Sequence, residues 1–126
     1  MTLKDYQEKA MTTCMPSSAN FSYMFLNLVG EVGEFASKVA KHIRKENIYI
    51  GGSANNLIPE IPYEEWLIHD RELMKEAGDI LWQLSGLCTV MDWSLEEIAK
   101  MNLDKLAARK AVGTIDGNGD GIIRDK

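Results

Sequence analysis

The chain has little of what would place it outside the ordinary globular proteins. Two cysteines, Cys14 and Cys88, do not suggest a disulfide framework, so free thiols are expected. No apolar run is long enough to span a bilayer, which argues against a membrane partner. The N-terminus, Met1-Thr2-Leu3-Lys4-Asp5-Tyr6, lacks the basic-then-apolar layout of a secretory signal, and a cytoplasmic chain is the expectation. Positive charge is also short. With 14 Lys and Arg against 19 Asp and Glu the net charge is -5, which disfavours sequence-independent binding to a nucleic-acid polymer but leaves a small polyanion held through metal possible. No internal repeat is evident. A length of 126 residues suits one domain, 1–126, with its own core and is too short for two.

What is present is helical periodicity. Leu3, Tyr6, Ala10 and Cys14 predict a short helix over 3–15 that stops at Pro16. Ser17, Ser18 and Asn20 offer N-caps for a second helix, running to about residue 45, with Phe25, Leu28, Val29, Val32, Phe35, Val39 and Ile43 as its apolar positions. Residues 47–62 hold Gly51-Gly52, Asn55-Asn56, Pro59 and Pro62 without sustained periodicity, and they read as a long loop. Tyr63-Glu64-Glu65-Trp66 either begins a helix or forms a separate turn. A strong third helix follows with Leu73, Ala77, Ile80, Leu81, Leu84, Leu87 and Met91 as its core stripe. Asp92-Trp93 breaks the pattern. Ser94-Leu95-Glu96-Glu97 then reads as a reciprocal capping box for a fourth helix, with Leu95, Ile98, Ala99, Leu103 and Leu106 as its apolar face. The end of the chain, 113–126, is glycine-rich and expected to be an irregular tail. The expected fold class is all-α, a bundle of four main helices. Apolar residues on several sides of the second and third helices exceed what one small monomer covers, which predicts a homodimer or a dimer of dimers.

The acids carry the chemistry. Gly30-Glu31-Val32-Gly33-Glu34 and Glu76-Ala77-Gly78-Asp79 each place two carboxylates three residues apart, and one helical turn puts such neighbours on one face. Two facing helices bring all four together. Like charges in a partly buried cluster take up protons or bind a hard cation through oxygen, so Mg2+ or Mn2+ is expected at Glu31, Glu34, Glu76 and Asp79. Lys38 shares the face of Glu31 and Glu34, while Asn102, Lys105 and Arg109 line a face of the fourth helix suited to phosphate. Neither acidic pair continues into the Glu-x-x-His pattern of di-iron bundles, and oxygen-only ligation favours hydrolysis over oxygen activation. Glycines 30, 33, 78 and 86 each cost a helix roughly 1 kcal/mol relative to alanine, which points to close helix approach or room for a ligand. Phe21, Tyr23, Trp66, Trp82 and Trp93 are the aromatics available to stack on a base, and core filling is the commoner role. His42 and His69 read as surface residues. Asp116-Gly117-Asn118-Gly119-Asp120-Gly121-Ile122-Ile123 copies the first eight positions of an EF-hand loop, but without the glutamate at position twelve no regulatory calcium site is expected.

The order of GExGE on a helix, a connecting loop, ExGDILW on a helix, SLEEIAxxNxxKLxxR on a helix and a Gly-rich tail resembles the MazG-like nucleotide pyrophosphohydrolases of phages and bacteria, in the all-α NTP pyrophosphatase superfamily. The resemblance covers most of the chain. It implies Mg2+-dependent hydrolysis of a nucleoside triphosphate, often a deoxynucleotide, to the monophosphate and pyrophosphate. In that scheme Glu34, Glu76 and Asp79 are the principal metal ligands, Glu31 is a ligand or the general base, and Glu31 and Glu34 are the catalytic pair. Lys38, Lys105 and Arg109 neutralise the distal phosphates, Asn102 donates to a phosphate or sugar oxygen, and Arg124 of the tail closes over the phosphates. Two departures stand out. Gly30 occupies a position where a glutamate is frequent, and the connection between Glu34 and Glu76 is longer than in compact relatives. The competing reading is a non-catalytic, metal-stabilised helical module that binds nucleotide or protein.

Overall fold

A computed structural model describes residues 1–113. The expected tail, the EF-hand-like run at 116–123 and Arg124 lie outside the described residues. Among the described residues four α-helices carry the fold, α1 (Leu3–Met11), α2 (Phe21–Arg44), α3 (Tyr63–Val90) and α4 (Leu95–Ala111), with a 3-10 turn at Pro16–Ser18 and two short strands, β1 (Ile48–Gly51) and β2 (Asn56–Pro59). No helix is long and apolar enough to cross a membrane among these residues.

The helix boundaries follow local side-chain chemistry. Asn20 caps α2 by accepting the Tyr23 amide at 2.8 Å. The reciprocal box forms at α1, where Thr2 and Asp5 exchange bonds, whereas at α4 only the serine half is made, Ser94 Oγ accepting the Glu97 amide at 3.2 Å. α1 ends at Met11 rather than running to 15. The Thr12 and Thr13 hydroxyls donate to the Lys9 and Ala10 carbonyls at 2.6 and 2.7 Å, which gives the backbone a local alternative to another turn. Tyr63 begins α3, with Glu64 and Glu65 favourably placed at its positive end.

α2 and α3 both end in the same way. Glu46 (φ 60°) and Asp92 (φ 59°) turn into the left-handed region, and the next amides close the ends, Asn47 N–H on the His42 carbonyl at 2.9 Å and Trp93 N–H on the Cys88 carbonyl at 2.7 Å. After the first of these turns the expected loop at 47–62 contains an antiparallel hairpin, paired from Ile48 opposite Pro59 to Gly51 opposite Asn56. Its tip uses Gly52 (φ 76°) and Asn55 (φ 50°), residues that reach positive φ at low cost. The hairpin is anchored by Ile48, buried with Trp66 and Leu73 and flanked by Phe35, Val39, Leu57 and Ile61.

The principal packing is α2 against α3, antiparallel. On α2 the inward line is Met24, Leu28, Glu31, Phe35, Lys38 and His42, and on α3 it is Trp66, His69, Leu73, Glu76, Ile80 and Gln83. The expected α2 stripe is therefore split. Leu28, Phe35 and Val39 are half-buried while Phe25, Val29, Val32 and Ile43 are exposed. On α3, Leu73 is buried, Ile80, Leu81, Leu84 and Leu87 are half-buried, and Ala77 and Met91 are exposed. At one end of the seam the helices approach so closely that a Cβ on Gly86 would overlap the Met24 thioether. Gly33 and Gly78 instead have nothing near them, and Gly30 meets only Asn27 at 3.7 Å. Trp82 ties α1 to α3, its indole donating to the Ala10 carbonyl at 3.1 Å and to Thr13 Oγ1 at 3.0 Å. His42 corrects the surface reading: it is 8% exposed, held by Asn47 and packed between Trp66 and His69. His69 is half-buried.

The strained turn after α2 is open to test. Glu46→Gly removes a left-handed penalty of about 1–2 kcal/mol and adds glycine's extra chain entropy of roughly 0.5–1 kcal/mol, so a net gain of about 0.5–1 kcal/mol is expected. Thermal unfolding should rise by a few degrees, and a fall would show that Glu46 contributes more than its backbone angle.

Candidate metal centre

The inward lines of α2 and α3 are not purely apolar, and their polar members meet midway along the seam. Glu31, Glu34 and Glu76 each offer a carboxylate oxygen, all lying within 4.8 Å of one another. The three differ in exposure: Glu76 is buried, Glu31 half-buried and Glu34 exposed, so the cluster opens to water on the Glu34 side. Asp79 stands outside this group of three but close enough to act on it. Burial is the main cause raising the Glu31 pKa, followed by the charges of Asp79, Glu34 and Glu76, with Lys38 opposing them. Asp79 also contributes to raising the Tyr6 hydroxyl pKa, after burial, which places α1 beside the cluster.

Lys38 stands on the next turn of α2, and its Nζ reaches Glu76 Oε1 at 2.5 Å. That contact raises the Lys38 pKa, and it leaves the second Glu76 oxygen, Oε2, buried without a partner. Glu31 Oε2 is in the same condition. Two orphaned carboxylate oxygens facing a third acid are a costly arrangement unless a cation is present, because buried polar groups need partners and like charges repel. The donor set, all oxygen, fits a hard divalent ion.

The residues expected on α4 are not among those the acidic cluster gathers. Asn102 and Lys105 border a shallow groove with Ile98 and Met101 on α4, and Arg109 is half-buried near that helix's end. α4 packs chiefly on α1, helped by Gln7, which bonds Thr89, the Trp93 carbonyl and the Leu95 amide. Trp66 fills the core and Trp82 holds α1, while Trp93 remains exposed.

A second polar group adjoins the acids and was not expected. His42, His69 and Asn47 come together where α2, α3 and the start of the hairpin meet, with the two imidazole centroids 4.5 Å apart. Burial lowers the His42 pKa most, and the neighbouring His69 adds to the effect. The signal for them was positional. His42 falls four residues after Lys38, and His69 seven before Glu76, on the same inward lines.

Comparison with known proteins agrees with these features. The family model of the MazG nucleotide pyrophosphohydrolase domain matches residues 20–113. The chain is similar to the Gene 37 protein of Mycobacterium phage L5, with 33% identity over 104 residues, covering 82% of this chain and 78% of that protein. No solved structure matches.

Cation binding should register as stability. At a Mn2+ or Mg2+ concentration 100 times its dissociation constant, binding adds about 2.7 kcal/mol, which appears as a raised melting temperature reversed by chelator. Glu31→Gln removes a carboxylate charge that has no ion-pair partner here, so it should melt higher than wild type without metal, whereas Glu76→Gln also gives up its ion pair with Lys38 and should not; both should lose most of the metal-induced rise. An unchanged metal response in both variants would place the ion elsewhere.

Proposed function

The chain belongs to the MazG nucleotide pyrophosphohydrolase domain family, and from that premise we propose that it hydrolyses nucleoside triphosphates, deoxynucleotides included, to the monophosphate and pyrophosphate in a Mg2+- or Mn2+-dependent reaction. The observation that carries this reading is the convergence of Glu31, Glu34 and Glu76 across α2 and α3 with two buried oxygens lacking partners.

The proposed roles follow from exposure and charge. Glu34, Glu76 and Asp79 hold the cation, with Glu31 joining them or acting as base. A divalent ion there supplies charge neutralisation and polarises a phosphate oxygen and a water. Glu31 suits the proton acceptor because burial and its acidic neighbours raise its pKa above the usual carboxylate value, which makes it the stronger base. Water adds to the α-phosphorus, its proton passes to Glu31, and the bond from phosphorus to the bridging oxygen breaks with the electron pair leaving on pyrophosphate. Lys38 holds Glu76 in place and presents positive charge beside it.

We assign substrate contacts by Asn102, Lys105 and Arg109 to α4 of a second copy, since α4 packs chiefly on α1 of its own chain. The outward face of α2 supports self-association. Phe21 and Phe25 stack at 5.6 Å between centroids, and with Leu26, Val29 and Val32 they form a continuous exposed apolar face.

Pyrophosphate release from a panel of canonical and modified triphosphates tests the reaction. Metal-dependent turnover is expected, falling about 10²-fold or more in Glu34→Ala and Asp79→Ala while the helical signal persists. A folded, metal-binding chain that turns over none of them would leave only a binding role. For assembly, light scattering should give at least a dimer, and Val29→Glu should shift it toward monomer; a wild type that is monomeric at all concentrations contradicts the assignment.

A further inference from the structure

Beside the carboxylates lies a pocket of about 170 Å³, of whose walls the reading above uses Lys38 alone. α2 contributes Lys38, Lys41, His42 and Lys45 to its walls, the start of the hairpin contributes Asn47, and α3 contributes His69 and Glu72. Resting on the hydrolase reading, we propose that this pocket receives the β- and γ-phosphates of the substrate and holds them as pyrophosphate when the bond breaks.

Position is the first argument. Lys38 lines the pocket and also bonds Glu76, so the pocket begins where the carboxylate cluster ends. With the α-phosphorus at the cluster, the distal phosphates would extend past Lys38 toward the pocket. Charge is the second. Three ammonium groups face one carboxylate, and neither Lys41 nor Lys45 makes an ion pair among the described residues. The third is an unmet donor or acceptor: His69 Nδ1 is buried without a hydrogen-bond partner, and a phosphate oxygen would supply one.

The walls are also held in place before any ligand arrives. Asn47 Nδ2 lies 3.0 Å from His42 Nδ1, the Asn47 amide closes the end of α2, and its carbonyl accepts the Glu60 amide at 2.8 Å. A wall held in this way favours an anion that fits without induced movement. A nucleobase is the less suitable occupant, because the His42 ring is already packed against Trp66 and His69. During hydrolysis the bridging oxygen leaves with its electron pair, and the charge that develops on it lies next to Lys38 and Lys41.

Binding of inorganic pyrophosphate, measured by calorimetry in Mg2+ buffer and needing no turnover, tests the proposal. The double variant Lys41→Ala with Lys45→Ala alters only exposed side chains, and it should bind pyrophosphate about tenfold more weakly while binding nucleoside monophosphate as wild type does. His69→Asn should weaken pyrophosphate in the same selective way. Unchanged pyrophosphate affinity in all of these overturns the proposal, as does an equal loss of monophosphate affinity, which would place the nucleoside in the pocket. The two readings fail separately. Selective pyrophosphate binding without turnover of any triphosphate removes the hydrolase and keeps the anion site, whereas turnover with pyrophosphate affinity indifferent to these lysines does the reverse.

Discussion

Charge buried between two long helices is the constraint on which the rest of the structure depends. The seam of α2 and α3 would be more stable in isolation if Glu31, Lys38 and Glu76 were apolar, since burying ionised groups costs more than their pairing returns unless every oxygen is satisfied. Lys38 satisfies one Glu76 oxygen and leaves another exposed to nothing but its acidic neighbours. The fold offsets that cost at both ends of the seam. At one end Met24 seats against Gly86, and at the other Ile48, Trp66 and Leu73 form an apolar cluster under the hairpin. Stability is thus concentrated at the ends, and the middle is left to chemistry.

The meeting of Glu31, Glu34 and Glu76 was legible because spacing of three puts two acids on one helix face and an antiparallel seam sets a second helix opposite; Asp79, expected on the same ground, stands outside that group of three. The N-caps at Asn20 and Ser94 were legible for an equally local reason. The hairpin was not. Its strands are four residues each, too short for alternation to stand out, and Gly51, Gly52, Asn55 and Asn56 read as loop formers when they are in fact the turn and its flanks. His42 and His69 were misplaced because a polar residue on an inward line looks like a surface residue until its register is known. The split of the α2 stripe has the same origin. Periodicity shows that Phe25, Val29 and Val32 share a face, but which of two apolar faces meets α3 depends on partners outside the helix.

The packing of α4 on α1 is the point at which local reasoning had least to offer. Asn102, Lys105 and Arg109 share a face by spacing alone, and nothing in that spacing says which helix the face will meet. Gln7 decides the matter through three bonds across more than eighty residues of sequence, to Thr89, Trp93 and Leu95. A single side chain of this kind leaves no periodic trace.

The close seating of Met24 on Gly86 bears on the carboxylates between the helices. Because the helices are clamped at that end and again under the hairpin, the gap spanned by Glu31, Glu34 and Glu76 behaves as the middle of a beam supported at both ends. Carboxylates on such a beam have little room to move apart, because a close-packed seam resists even small displacements. The spacing of the helices at the cluster is then set in part by a methionine and a glycine about two turns of α2 away from the nearest of the three carboxylates.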